Sequence, residues 1–187
     1  MTRESLADLI ALVRQYIGDG SSDPRDWTFQ DEQIQAHLDQ NRAYHDNAEL
    51  DPLGQAGDTK LFSSTIKFWD LGVVVRDPDA DGSQLALDYE ASNLIAGHFV
   101  ITDNAPAAAY VSGWSYDLYA VCADLLVLWA GRLEQDITKF SADGSSYEFA
   151  GATKGKLALA ADFRAKSDAM FSRGLGDIQT VTMVRND

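Results

Sequence analysis

The sequence is poor in cysteine and in positive charge, and it has no long apolar run. Its single cysteine, Cys122, excludes an intrachain disulfide, and the apolar residues around it indicate a small buried side chain. Only 15 Lys and Arg stand against 29 Asp and Glu, a net charge of -14 that disfavours dedicated DNA binding, because phosphate contacts need positive charge. The acidic N-terminus does not resemble a signal peptide, and the longest apolar stretch is too short to span a membrane. We therefore expect a soluble protein made in a cytoplasm.

Length and composition are those of one folded domain. The chain has 187 residues, of which 45% are hydrophobic and 24% charged, so it is long enough to bury a sizeable core. Spacings of three and four residues between apolar side chains predict four helices. They are a first helix ending at Gly18, a second that opens with a capping-box pattern at 28–31 and frays near Asn47, a long third one from Ser115, and a last one over 153–173.

Short runs rich in β-branched and aromatic residues predict strands between the second and third helices. These runs cover 61–69, 72–76, 84–90 and 97–102, after a predicted loop at 51–58. The predicted fold class is therefore α+β, mainly an α-helical bundle of about four helices with an inserted small β-sheet or hairpin region. The bundle is assigned to 1–59 and 113–173, the β insertion to 60–112, and an extended C-terminal tail to 174–187.

The third helix carries the strongest apolar stripe in the chain. The stripe consists of Leu118, Val121, Cys122, Leu125, Leu128 or Trp129, Leu133 and Ile137. We expect it to form the spine of the core and to pack on the first helix through Leu6, Leu9, Ile10 and Val13.

Four aspartates are spaced like the ligands of a calcium loop: Asp77, Asp79, Asp81 and Asp88. However, the residues before this loop resemble a strand, Gln84 replaces an apolar residue, and Asp is shorter than the usual bidentate Glu. We favour a hairpin turn without a metal ion, since Asp-rich turns with Gly are common for conformational reasons. A calcium-stabilised binding module stays open as the alternative.

The sequence contains no recognisable catalytic constellation. His37 and His45 fall on one face of the predicted second helix, but about 12 Å of helix rise separates them, which is too far for one metal ion. No nucleophile elbow, phosphate-binding glycine loop or zinc-type cysteine pair is present. We therefore expect no enzymatic activity, no catalytic residues and no cofactor.

Charge is distributed unevenly along the chain. Residues 1–59 carry 4 basic and 12 acidic side chains, a net charge of −8. The last predicted helix, 153–173, carries 5 basic and 2 acidic side chains, a net charge of +3. Such polarity suits self-association between unlike surfaces, and a solvated helix face is the alternative.

Several short motifs between residues 28 and 166 carry a resemblance to a known family. The first motif is Thr28-Phe29-Gln30-Asp31 with 32–34 and 38–39, and the second is 96–101. The third is Tyr116-Asp117-Leu118-Tyr119 with 120 and 123–126. The last are Phe140-Ser141-Ala142-Asp143-Gly144 with 145–147, then 156–157 and 163–164. Together with the order of the predicted elements, they resemble the adaptor (head completion) proteins of the head-to-tail connector in tailed bacteriophages.

The resemblance implies a structural protein of the virion neck, assembled in the bacterial host cytoplasm and independent of any membrane. It implies a homo-oligomeric ring of about twelve copies, with the portal protein above and a stopper or tail-completion protein below. Double-stranded DNA would pass through the ring, and an acidic subunit suits this passage because it repels phosphates. A stopper or tail-completion protein of the same neck is the alternative.

The C-terminal tail is predicted to be an extended docking arm. Gly174 and Gly176 end the last helix and provide a hinge. The residues predicted to dock on a sheet edge of the portal or of an adjacent copy are Ile178, Thr180, Val181, Thr182, Met183 and Val184. A frayed terminus is the alternative interpretation.

Overall fold

The computed structural model describes residues 6–21, 23, 27–56, 59–78, 82–102, 106–139 and 146–174. The elements within these ranges are α1 (Ala7–Ile17), α2 (Asp31–Gln40), β1 (Arg42–Ala56), β2 (Thr59–Ser63), β3 (Val74–Arg76), β4 (His98–Ile101), β5 (Ala109–Tyr116), α3 (Leu118–Lys139) and α4 (Ser146–Gly174).

The five strands form one curled antiparallel sheet in the order β3-β5-β1-β2-β4. The long strand β1 organises the sheet, because its first part, up to Leu50, pairs with β5 and its second part, from Asp51, pairs with β2. A bulge between His45 and Ala48 interrupts the first pairing, and Asn47 adopts a positive φ of 53° there. The bulge and the change of partner let a single strand run around the curl of the sheet.

The predicted fold class, a mainly helical bundle with a small β insertion, is wrong. The second helix does not reach Asn47 but ends at Gln40, and 42–56 form a strand of 15 residues where a helix end and a loop were expected. The strand β5 was not predicted, and it occupies the place where the long helix was expected to begin. The error has a physical cause, since β1 and β5 are stabilised by pairing with each other across more than fifty residues of intervening chain.

The irregular segment after β3 closes the curl of the sheet. On one side, Leu85 N–H donates to the Val75 carbonyl at the edge of β3. On the other side, Asp88 N–H donates to the Val100 carbonyl of β4, and Thr102 N–H donates to the Ala86 carbonyl. The predicted strand at 84–90 is therefore an extended connection that covers two sheet edges, which protects them from pairing with other chains.

The helices bury one continuous core against one end of the sheet. The predicted packing of α3 on α1 is confirmed, because one cluster of buried side chains contains Leu6, Leu9, Ile10, Val13, Leu118, Val121, Cys122 and Leu125. The same cluster includes Phe29 from just before α2, Ile34 and Leu38 from α2, and Phe163 from α4. A second cluster fills the curl of the sheet, with Phe62, Trp69 and Phe99 among its largest members.

A buried carboxylate joins α1 to the segment before α2, and the cap of α2 lies two residues later than predicted. The side chain of Asp19 accepts hydrogen bonds from the N–H groups of Thr28 and Phe29, at 2.8 and 3.0 Å, and pairs with Arg14 at 3.2 Å. Thr28 therefore does not cap α2. The helix is capped two residues later, where the Gln33 side chain accepts from Gln30 N–H at 3.0 Å.

The start of α3 is tied to both neighbouring layers by Asp117. One oxygen of its carboxylate accepts from Ala120 N–H at 2.9 Å, which caps the helix, and the other accepts from the Ser167 hydroxyl of α4 at 2.6 Å. Its own N–H donates to the Asn41 carbonyl just before β1. This junction fixes the α3–α4 pair relative to the sheet.

Candidate protein-interaction surfaces

His45 lies on β1 and not on a helix, so the predicted common face with His37 does not exist. The His45 Nε2 atom is 2.8 Å from the Ser115 hydroxyl, and its ring meets Trp69 edge-on with centroids 5.3 Å apart. Burial lowers the pKa of His45 below 6.5, which favours the neutral ring. The Ser115 side chain is itself buried, so the pair stabilises the β1–β5 junction and does not present a nucleophile to solvent.

The acidic loop after β3 was the candidate calcium site. Asp77 N–H donates to the Ser83 carbonyl at 2.9 Å. The Asp88 carboxylate accepts from the N–H groups of Glu90 and Ala91, so it caps its own turn. Asp79 and Asp81 lie outside the described residues, and the residues that are described contain no group of three or more His, Cys, Asp or Glu able to hold a metal ion.

Exposed aromatic residues on the outer face of the sheet form the first candidate surface. Tyr44 and Trp114 are directly opposite each other on β1 and β5, and their rings meet edge-on with centroids 5.2 Å apart. The guanidinium of Arg42 lies 4.4 Å from the centre of a Trp114 ring. Tyr44 is 56% exposed and Trp114 is 38% exposed. We call Arg42, Tyr44 and Trp114 the sheet patch.

The composition of the sheet patch is that of a protein interface. Trp, Tyr and Arg are the residues most enriched at positions that dominate binding energy, because each buries a large area while keeping a polar handle. The exposed Leu71 follows Asp70, whose N–H donates to the Trp114 carbonyl at 2.8 Å, so the backbone next to the sheet patch carries a further exposed apolar residue.

The second candidate surface lies on the α3–α4 pair. Val127 and Leu128 of α3 and Leu157 of α4 are 43 to 48% exposed. An ion pair between Asp124 of α3 and Arg164 of α4 marks one side of the two helices. Val127 and Leu128 follow Asp124 by one helical turn, and Leu157 precedes Arg164 by two turns on the same side of α4. We call Val127, Leu128 and Leu157 the helix patch.

The opposite side of α4 is already covered within the chain. Tyr16 of α1, Tyr119 of α3 and Phe163 of α4 stack with ring centroids between 5.9 and 6.3 Å apart. The ammonium of Lys166 lies 5.1 Å from the Phe163 ring, and Lys156 lies 3.0 Å from a Trp129 ring. The helix patch lies on a different side of α4, where apolar side chains of α3 and α4 are exposed to solvent.

Sequence reasoning found part of these surfaces. Leu128 was proposed with Trp129 for one position of the buried stripe, and only the contact of Phe29 with Trp129, at 6.1 Å between ring centroids, decides which one is covered. Tyr44 and Trp114 were missed, since the signal that joins them is a cross-strand pairing. The predicted docking residues 178–184 lie outside the described residues, and docking by the tail stays a prediction.

Comparison of the chain with protein-family models, with curated proteins and with solved structures finds no match in any of the three. A search of the described residues for a helix long and apolar enough to cross a membrane also finds none.

Proposed function

We propose that this chain is the structural adaptor of a tailed-bacteriophage virion, forming a ring between the portal and the stopper or tail and letting DNA pass through its lumen. In this role the subunit catalyses no reaction. Its work is to present surfaces to copies of itself and to its neighbours above and below.

The observation that carries the proposal is the position of the residues on which the family resemblance depends. Five of these residues come from distant parts of the sequence: Phe29 just before α2, Ile34 in α2, Leu118 and Leu125 in α3, and Phe163 in α4. All five side chains are buried in the same helical core. The motifs around these five residues thus build the helical frame, and this is the support that they give the proposal, whereas 140–145 lie outside the described residues and the sheet is larger than the expected β insertion.

One part of the resemblance needs correction. Residues 96–101 resemble the strand that precedes the long helix of the family, and they contain β4. In the structure, β5 lies between β4 and α3 in sequence, so the strand directly before the long helix is β5. The match therefore concerns the sheet as a whole and not its junction with α3.

The charge of the chain supports passage of DNA without binding. The net charge of -14 repels phosphates, and long-range repulsion keeps a polyanion centred in a channel. Exposed surfaces are also available for assembly, because the sheet patch and the helix patch leave apolar and aromatic atoms in contact with solvent.

Cryo-electron microscopy and mass spectrometry of virions of the source phage test the proposal. We expect this chain in a ring in direct contact with the portal. A ring one tier lower would favour the stopper or tail-completion alternative, and purified virions that lack the chain would contradict the proposal.

A second experiment tests the predicted docking arm. Deletion of residues 177–187 is expected to leave the melting temperature of the isolated subunit nearly unchanged and to abolish its attachment to portal-bearing heads. Loss of folding after the deletion would show that the tail pairs within its own subunit, and the docking-arm prediction would then be wrong.

A further inference from the structure

We infer that copies of this chain associate through unlike surfaces, with the helix patch of one copy packed on the sheet patch of the next. The inference deepens the proposed function and depends on it for its biological setting, since a ring needs a contact that repeats around it. It names the surfaces that make this contact.

Each of the two surfaces leaves apolar atoms in water that a partner would cover. The sheet patch offers an edge-to-face aromatic pair with an arginine over one ring. The helix patch offers branched aliphatic side chains from two adjacent helices. The fully buried centre of an interface is apolar and enriched in aromatic residues and Arg, so the sheet patch would supply the main binding residues and the helix patch the apolar surface that covers them.

Charge indicates which surface pairs with which. The exposed residues that follow the sheet patch along β1 include Asp46, Glu49 and Asp51. Lys154 is exposed on α4, one turn before Leu157 of the helix patch, whereas Arg164 beside the helix patch and Arg42 of the sheet patch are already paired with Asp124 and Asp39. Two sheet patches facing each other would bring these carboxylates together, whereas a helix patch on a sheet patch brings Lys154 of one copy towards the carboxylates of the next.

The separation of the patches allows one copy to bind two neighbours. Trp114 lies before the start of α3 at Leu118, and Leu128 lies ten residues further along, about 15 Å up the helix axis. A copy can therefore use both patches at once. A contact between unlike surfaces repeats from copy to copy and closes into a ring or continues as a chain, whereas a contact between like surfaces stops at a dimer.

The experiment uses two variants that each lack one surface. Tyr44→Lys places a positive charge on the sheet patch, where it would face Lys154 of α4. Leu157→Glu places a negative charge on the helix patch, where it would face the carboxylates of β1. Both positions are exposed, so both variants are expected to fold, and their melting temperatures verify this.

The matched control is Leu159→Glu. Leu159 has a similar exposure to Leu157, but it shares its side of α4 with Lys166, which follows it by two turns and lies over the Phe163 ring. The control therefore makes the same chemical change outside the helix patch and is expected to associate like the wild type.

Light scattering coupled to size-exclusion chromatography measures the mass of each protein over a range of concentrations. We expect the wild type to exceed the 20.5 kDa of one chain as concentration rises, and each variant alone to associate at least about tenfold more weakly. An equimolar mixture of the two variants is expected to regain association, beginning with a species of two chains. The intact helix patch of the Tyr44→Lys variant then binds the intact sheet patch of the Leu157→Glu variant, and growth beyond two chains requires the two altered surfaces, which carry opposite charges, to meet.

Three results would overturn the inference. They are a wild type that remains monomeric at every concentration, a variant that alone still forms a dimer of wild-type strength, and a mixture that stays monomeric while the wild type associates. The assay needs no portal and no virion. Failure of the proposed neck function would therefore leave a two-chain mixture result intact, whereas rings in virions whose contacts avoid both patches would contradict only the inference.

Discussion

Replacement of Leu125 by Ala tests whether α3 is the spine of the helical core. Leu125 is 0% exposed and lies among buried side chains of α1, α2 and α4. Removing its branched end forfeits the transfer free energy of the lost carbon atoms and leaves a cavity that close-packed neighbours only partly fill. For buried Leu→Ala changes the two effects together cost about 2–5 kcal/mol.

The expected change in melting temperature follows from the size of the chain. In domains of 150–250 residues, about 1 kcal/mol shifts the melting temperature by roughly 2–4 °C. A loss of about 3 kcal/mol therefore lowers it by roughly 6–12 °C. Circular dichroism during heating measures this shift, and urea denaturation measures the free energy of unfolding independently.

Leu128→Ala is the matched control on the same helix. Both changes replace Leu by Ala in α3 and alter helix propensity equally, but Leu128 is 45% exposed. We expect a change within about 0.5 kcal/mol for the control. Protein concentration is kept low, because Leu128 belongs to the helix patch and self-association would add to the apparent stability. Equal losses for the two variants, or no loss for Leu125→Ala, would refute the assignment of the core.

Four further predictions follow from single residues or loops. Gly113→Ala is expected to destabilise the protein by about 1–3 kcal/mol, because the new Cβ would lie 2.9 Å from a Val73 side-chain carbon. The new Cβ of Gly131→Ala would meet open space in α3, so this variant is expected to be more stable by about 0.5–1 kcal/mol. Thermal unfolding compares the two variants. Because burial lowers the pKa of His45, the unfolded chain binds a proton more readily, so the free energy of unfolding should fall as pH falls below about 6.5, and His45→Gln should remove that part of the pH dependence. Burial raises the pKa of Cys122 to about 12, so a thiol reagent at about pH 8 should react only after denaturation, and rapid reaction with the native protein would contradict its burial. Excess calcium should leave the melting temperature unchanged, and a stabilisation near 2.7 kcal/mol, as expected for a ligand at about 100 times its dissociation constant, would favour the calcium-stabilised module.

The sequence alone determined the elements whose stabilising contacts are local. The helix α1 ends at Gly18 as predicted, because Gly adopts the left-handed conformation there with a φ of 74°. The stripe of α3 is buried through Leu118, Val121 and Leu125, since helical periodicity is carried within one segment of chain. The strands β3 and β4 also fall inside predicted runs, because continuous β-branched and aromatic residues mark buried strands.

The tertiary structure alone decided the extent of the sheet and the position of its exposed residues. The segment after Gln40 alternates between exposed and half-buried side chains, a pattern that becomes a strand only when β5 supplies its hydrogen-bonding partners from a distant part of the sequence. Because of that pairing, His45 lies on a strand and not on the predicted helix, and Tyr44 lies opposite Trp114. Likewise, Leu128 and Trp129 are equivalent in helical periodicity, and Trp129 is the one partly covered because Phe29 packs on it. Burial and cross-strand neighbours are properties of contacts between distant residues, so periodicity within a segment does not contain them.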